Sequence, residues 1–328
     1  VDAYQVTYAG LLLVAGALVD RWGKSRTFLV GAGVFGACSL LAGLTTATGP
    51  LIWTRALMGI GAALMAPATL ALVSALFRTP QERSLAFAIW SAANGAGGAA
   101  GPLLSGLLLE RFSWGAIFLI NVPIAVLIVA IGLFVIPHSR PHRVPGGVDL
   151  PGALLSTAAL GLICWAVISA PGLGGASPLV LGASLAGLSL LAVFIYWESR
   201  ATQPILRLSL FRNRRFSVAV GVSGLVTAGG AGALFVLTQY LQYSLRFTPL
   251  QTGLRILPIA AAMLLGALST PRLIDHLRLK RTVLFGLGCV AAGFGWPAHR
   301  VTERTALLAA LAAPITGLEV LVVPVAAR

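Results

Sequence analysis

Charge is scarce in this sequence, and negative charge scarcest. Asp and Glu number 9 among 328 residues, against 23 Lys and Arg, and charged residues make up only 10% of the chain. A water-soluble globular domain carries about 25%. A chain that is 58% hydrophobic, with mean hydropathy +0.92, cannot cover a water-facing surface, so lipid must be its solvent. Cysteine is equally sparse. Cys38, Cys164 and Cys289 are embedded in apolar runs with no CxxC or Cys/His pairing, and they read as small buried hydrophobes that say nothing of a redox compartment. His138, His142, His276 and His299 fall in loops without metal-ligand spacing, so no metal site is expected. A phosphate-binding lysine loop and a Ser/His/Asp elbow are both missing, which removes support for ATP-driven transport and for an enzyme. "GAGVFG", 31–36, satisfies GxGxxG, but no strand precedes it, and inside a lipid span it is a packing face of small residues.

Long apolar runs dominate instead. Eleven stretches are long enough, or nearly so, for membrane helices: 4–19, 28–48, 51–77, 85–109, 114–136, 150–170, 178–197, 216–243, 250–273, 282–297 and 305–327. None alternates apolar with polar residues as a barrel strand would, so the fold expected is an all-α polytopic membrane protein. The net charge of +14 does not point to nucleic acid, because the cations sit in short clusters between spans. Alternate loops hold 17 and 4 of the loop Lys and Arg, which puts the loop at 20–27 in the cytoplasm and Val1 on the far side. With no initiating Met, no signal-peptide pattern and a first span cut short, the chain reads as an internal piece of a longer protein.

The stretch "GALVDRWGKSRTFLVG", 16–31, crowds one acid and three cations between two apolar spans. Asp20 and Arg21 close the first span, Gly23 permits a tight turn, and Lys24 and Arg26 start the next helix. The acid either pairs with a cation or faces a helix N-terminus, a contact that would hold two bundles together on one side and break as they rock apart. Alternatively the cations are simple topology anchors, which leaves the acid and the glycines unexplained.

The pattern Gly16-x-Leu18-x-Asp20-Arg21-x-Gly23-Lys24-x-Arg26 resembles the signature loop of the major facilitator superfamily, between its second and third helices. Arg55-x-x-x-Gly59-x-Gly61 resembles that family's buried-arginine motif, and Gly97-x-x-x-Gly101-Pro102-x-x-Ser105-Gly106 its antiporter motif, with Ser105 replacing a usual glycine. "WGAIFLINVP", 114–123, and "YLQYSLRFTPLQTGLRILP", 240–258, look like its drug:proton antiporters, with Gly115 and Ala116 in place of Arg and Trp, and Arg246 where glycine is usual. "LIDHLRLKR", 273–281, looks like a degraded second copy of the opening loop, with Asp275, Lys280 and Arg281 as its charges. The copies lie eight spans apart, not six, so 150–170 and 178–197 are two extra helices between two six-helix halves. The resemblance then implies the fourteen-helix branch of multidrug and quaternary-ammonium exporters, with one helix missing before Val1 and two after Arg328. Residues 1–137 would be the N-terminal half, 138–215 the inserted helices and a cytoplasmic connector, and 216–328 the C-terminal half. "DLPG", 149–152, and "QPILRLSLFRNRRF", 203–216, also fit that branch.

Arg55 lies about 7 Å below the outer boundary, where it either snorkels outward or pairs with a carboxylate. The resemblance implies a part in proton movement, with its acidic neighbour on the missing first helix. The 97–106 run places small residues for close helix approach, and Pro102 removes one backbone donor. It is either a packing seam or, as the resemblance implies, a hinge-like seam that favours exchange. Glu319, past the middle of the last span, is either a second proton-coupling carboxylate or an incidental variant. Asn94, Gln239 and Gln242 line a cavity or merely bond neighbouring helices.

The expectation is therefore a monomeric secondary transporter in a bacterial inner membrane. It would exchange protons for a lipophilic or cationic small molecule, powered by the proton gradient and needing no cofactor. A proton-linked uptake carrier and a non-transporting receptor or scaffold on the same bundle are the rival readings.

Overall fold

The computed structural model describes residues 2–77, 79–137, 149–201, 204–206 and 208–259, with isolated helical positions at 261, 265–266, 276, 281 and 288. Every regular element among them is helical. In chain order these are α1 (Asp2–Trp22), α2 (Lys24–Leu44), α3 (Thr48–Leu76), α4 (Pro80–Arg111), α5 (Ala116–Leu119), α6 (Asn121–Val135), α7 (Leu150–Leu173), α8 (Pro178–Glu198) and α9 (Arg214–Gln239). A short 3-10 helix (Leu208–Arg212) precedes α9, a π-helical turn (Tyr240–Ser244) follows it, and α10 covers residues 249–259.

Seven of these helices, counting α5 with α6 and α9 with its π turn, are long and apolar enough to cross a membrane. The expected span at 85–109 is helical too, as α4, but its Ser, Asn and Gly content keeps it out of that set. The expected run 114–136 is broken between α5 and α6 at Ile120. Pro123 supplies the reason, since it has no N–H to offer the carbonyl of Leu119. Apart from position 288, the expected spans 282–297 and 305–327 lie outside the described residues, as do Asp275, Lys280 and Glu319.

Start signals are written into the local sequence. Asp149 caps α7 by accepting the Gly152 N–H at 3.0 Å, Ser177 caps α8 with Pro178 following, and Thr79 with Glu82 forms a capping box on α4. Gly23 alone joins α1 to α2, with φ 89, a backbone conformation that L side chains rarely adopt.

The helices group into two compact units, one of Val1–Ala75 with Ser113–Ser209, the other of Leu76–Phe112 with Leu210–Arg328. In the first, α7 packs along both α8 and α1, and α2 along α5 and α6. Small residues set these crossings. A Cβ on Gly61 would lie 2.8 Å from the Gly31 carbonyl oxygen of α2 and 2.8 Å from the Phe35 nitrogen, and one on Gly36 would meet the Ala125 methyl at 2.5 Å. The glycines of "GAGVFG" at 31 and 36 are thus contact points between backbones, as expected for small residues in lipid. In the second unit, α4 packs on α10: a Cβ on Gly106 would meet the Leu250 nitrogen at 2.7 Å, and one on Gly253 the Leu103 Cα at 2.7 Å. Leu241 and Ile256 form a small core there with Leu234, Leu237, Phe247 and Ile259 around it.

One acid sits at the foot of the α7–α8 hairpin. Glu198, only 3% exposed, accepts the N–H groups of Ile205 and Leu206 at 3.2 and 3.3 Å, while Asp149 accepts the Trp197 indole N–H at 2.9 Å. Together they tie the end of α8 to the start of α7 and to the connector. Glu198→Ala would leave two N–H groups without an acceptor, at a cost of about 1–3 kcal/mol. The thermal midpoint in mild detergent should fall by several degrees, with Glu198→Gln falling less, and an unchanged midpoint for the Ala variant would remove this role. Arg246 provides a second check. It holds φ 57, in the left-handed region that costs a side-chain-bearing residue about 1–2 kcal/mol. Arg246→Gly should therefore raise the same midpoint, and a lower one would show that the arginine side chain makes up for the strain.

Candidate functional site

The opening loop occupies the α1–α2 joint. Asp20 and Arg26 are exposed there, Arg21 and Lys24 half-buried, Gly23 buried and Gly16 half-buried on α1. The turn is held from below. The Gly23 N–H reaches the Val19 carbonyl at 3.2 Å, and the Thr27 hydroxyl and N–H both donate to the Gly23 carbonyl. Buried Ser25 donates to the Pro137 carbonyl at 2.7 Å, which fixes the loop against the end of α6. Asp20 thus stands at the exposed rim of a rigid turn.

Arg55 on α3 is half-buried, and what faces it is aromatic. Its guanidinium lies 4.7 Å from the centroid of the Tyr4 ring on α1 and 5.6 Å from that of Phe118 on α5. Tyr4 stacks on Tyr8 with centroids 6.1 Å apart and ring planes 7° from parallel, and Phe118 meets Trp114 edge-on. One turn along α3, Gly59 allows α1 to approach so closely that a Cβ would lie 2.5 Å from the Tyr4 carbonyl oxygen and collide with the Thr7 hydroxyl. That hydroxyl donates to the Ala56 carbonyl at 2.9 Å. These two rings are what the structure places beside the guanidinium, and among the described residues no carboxylate pairs with it.

The small-residue run 97–106 belongs to α4. Gly106 is buried and crowded by α10, whereas a Cβ on Gly97 or Gly101 would meet none of the described residues within 4 Å. Ser105 is half-buried, and α4 runs through Pro102. Asn94 is exposed on the same helix and donates to the Trp90 carbonyl at 2.9 Å, a bond within its own turn. Gln239 ends α9 and Gln242 lies in the π turn, both half-buried. Such turns often mark functional positions. Arg246 follows at the left-handed residue, which explains why glycine suits that position, and Arg255 lies 3.7 Å over the Phe247 ring. Arg281 is helical and exposed. A groove of about 530 Å³ beside Leu162, Trp165, Leu179 and Ala183 of α7 and α8 is apolar and holds none of these residues.

The sequence reading passed over Tyr4, Thr7, Tyr8, Phe118, Ser25 and Glu198. A signal existed for the first three, since spacings of three and four residues put Tyr4, Thr7 and Tyr8 on one face of α1. Aromatic and hydroxyl groups carry no charge to attract attention in an apolar run, and Ser25 and Phe118 show their use only through distant partners.

The chain matches the Major Facilitator Superfamily over residues 1–327. It is 35% identical to the tetracenomycin C resistance and export protein of Streptomyces glaucescens over 81% of its own length and 49% of that protein. It is 34% identical to the multidrug efflux pump LfrA of Mycolicibacterium smegmatis over 90% and 58%, respectively. With the lincomycin resistance protein of Streptomyces lincolnensis it shares 37% identity over 92% and 61%. The chain thus spans about half the length of the curated relatives it matches. A helical bundle with membrane-length spans, small-residue crossings, an acidic turn at the α1–α2 joint and a match from end to end lead to one assignment: this chain belongs to the major facilitator superfamily.

Proposed function

We propose that the protein is a secondary transporter that exports a lipophilic or cationic organic compound in exchange for protons. The observation that carries this reading is the match of most of the chain to relatives named for efflux, export and resistance. The transport cycle is alternating access, in which two bundles rock around a midplane cavity. A carboxylate that takes a proton from outside releases substrate outward and then gives its proton up inward. The proton gradient is the energy source and no cofactor takes part.

In this scheme Asp20, set at the rim of a stiff turn with Arg21, Lys24 and Arg26, latches one end state, and Asp275, Lys280 and Arg281 form the second latch. Arg55 couples movement to protonation, with Glu319 as a further candidate, and Asn94, Gln239 and Gln242 line the cavity. Gly97, Gly101, Pro102, Ser105 and Gly106 form the seam along which the bundles slide. The whole protein has fourteen helices: residues 1–137 and 216–328 belong to its two halves, and 138–215 carry the inserted pair. It works as a monomer in a bacterial cytoplasmic membrane, with Val1 outside and the Asp20 loop inside.

Two experiments test this scheme in energised cells carrying the intact gene. Efflux of ethidium, a fluorescent lipophilic cation, should collapse on adding a proton uncoupler and should be lost in Asp20→Asn. A correctly inserted protein that exports nothing would overturn broad multidrug export and leave a narrow exporter or the uptake carrier as the better reading. For the seam, Gly101→Leu should insert in normal amount, because among the described residues nothing lies within 4 Å of its Cβ, and should still slow efflux about tenfold or more, a loss of about 1.4 kcal/mol or more in barrier terms. Unchanged efflux in that variant would reduce the run to simple packing at Gly106.

A further inference from the structure

Arg55 poses a physical problem. A guanidinium within a span is costly unless something satisfies it, and a long flexible side chain so close to the boundary is free to swing towards water. Here the guanidinium lies 4.7 and 5.6 Å from the centroids of two rings on two other elements, Tyr4 of α1 and Phe118 of α5. We infer that Tyr4 and Phe118 are positioning residues for Arg55, clamping its guanidinium so that its charge stays aimed into the bundle. This inference rests on the proton-coupling reading of Arg55 and adds to it the parts that hold the charge in place.

Several independent contacts converge on this clamp. A guanidinium is planar, weakly hydrated and suited to stacking on aromatic faces, so two rings hold its orientation where they would not hold that of an ammonium. Tyr4 is itself fixed, by a near-parallel stack on Tyr8 and by the Thr7 hydroxyl bonded to the Ala56 carbonyl next to Arg55. Phe118 is fixed by Trp114 and sits in the short α5, where the chain breaks before Pro123. The spacing Arg55-x-x-x-Gly59 thereby gains a physical meaning. Residues four apart share one face of α3, so the glycine admits the α1 backbone one turn from the point where the arginine meets the α1 ring. A larger residue at 59 would push α1 away and open the clamp.

The test is the pH dependence of uncoupler-sensitive ethidium efflux from energised cells carrying the intact gene, corrected for the amount of protein in the membrane. Loss of a ring lets the guanidinium swing away, so the carboxylate it opposes during turnover is less stabilised and protonates at higher pH. Tyr4→Leu and Phe118→Leu should each move the midpoint of the profile upward by about one pH unit, while Tyr4→Phe, which keeps the ring, should superimpose on the parent. A purely structural role would lower the amplitude and leave the midpoint in place. That result for both Leu variants overturns the clamp while proton coupling stands. A parent whose efflux ignores the uncoupler overturns the coupling reading and the clamp together. Should Tyr4→Leu fail to insert, the Phe118→Leu midpoint alone decides.

Discussion

In a bilayer the hydrophobic effect does not press one helix against another, because a lipid tail is as apolar as a leucine. Helices stay together only where their backbones come close enough for dense van der Waals contact, and that condition governs this chain. Gly31 meets Gly61 across α2 and α3, Gly36 meets Ala125 across α2 and α6, and Gly43 meets Gly115 and Leu119 ahead of and within α5. At Gly59 the backbone of α1 comes close enough to α3 for a threonine hydroxyl to bond the neighbouring helix. The same device recurs in the second unit at Gly106 and Gly253, where α4 and α10 lie against each other. The Gly59 crossing also brings Tyr4 of α1 to Arg55 of α3.

The second constraint is that polar groups away from water must find partners inside the protein. The chain meets it in two ways with very few charges. At the hairpin foot, Glu198 and Asp149 are spent on backbone N–H groups and an indole, so both acids serve as acceptors that close α7, α8 and the connector into one piece. Within α3, Arg55 lies beside two aromatic rings, and among the described residues no acid pairs with it. Rings hold a guanidinium in place without neutralising it and so leave its charge available to a group that titrates.

The legibility of the sequence divides along the same physical line. Span positions were legible because lipid demands about 20 apolar residues in a row, and seven spans appear where the runs predicted them. The break at Ile120 was foreseeable from Pro123, but hydropathy averages over a proline and reads 114–136 as continuous. The Asp20 turn was legible because an acid, glycines and cations at fixed spacing are conspicuous in an apolar chain, and Gly23 takes the conformation such a joint needs. Arg55 was legible as a charge in a span, yet its partners were not. Tyr4 and Phe118 lie far from it in sequence, and nothing in an apolar run distinguishes a ring that holds a cation from a ring that faces lipid. Glu198 escaped notice because an acid at the end of a span looks solvated until the connector is seen to fold back over it.

These elements also bear on how a local event could be felt at a distance. α1 runs from Asp2 to Trp22 with no proline, and it carries Tyr4 near one end and Asp20 at the other. At 1.5 Å per residue the two lie about 24 Å apart along one unbroken helix. A stiff rod of that length cannot tilt at one end without moving the other, so a change in the ring contact with Arg55 and a change in the exposure of Asp20 are geometrically linked. α1 is held to α3 at two levels: the Thr7 hydroxyl bonds the Ala56 carbonyl beside Gly59, and Ala15 packs on Ala63 and Leu64. A rod held at two points along one neighbour shifts as a whole, so the helix that supplies a ring to Arg55 also carries Asp20 along with it.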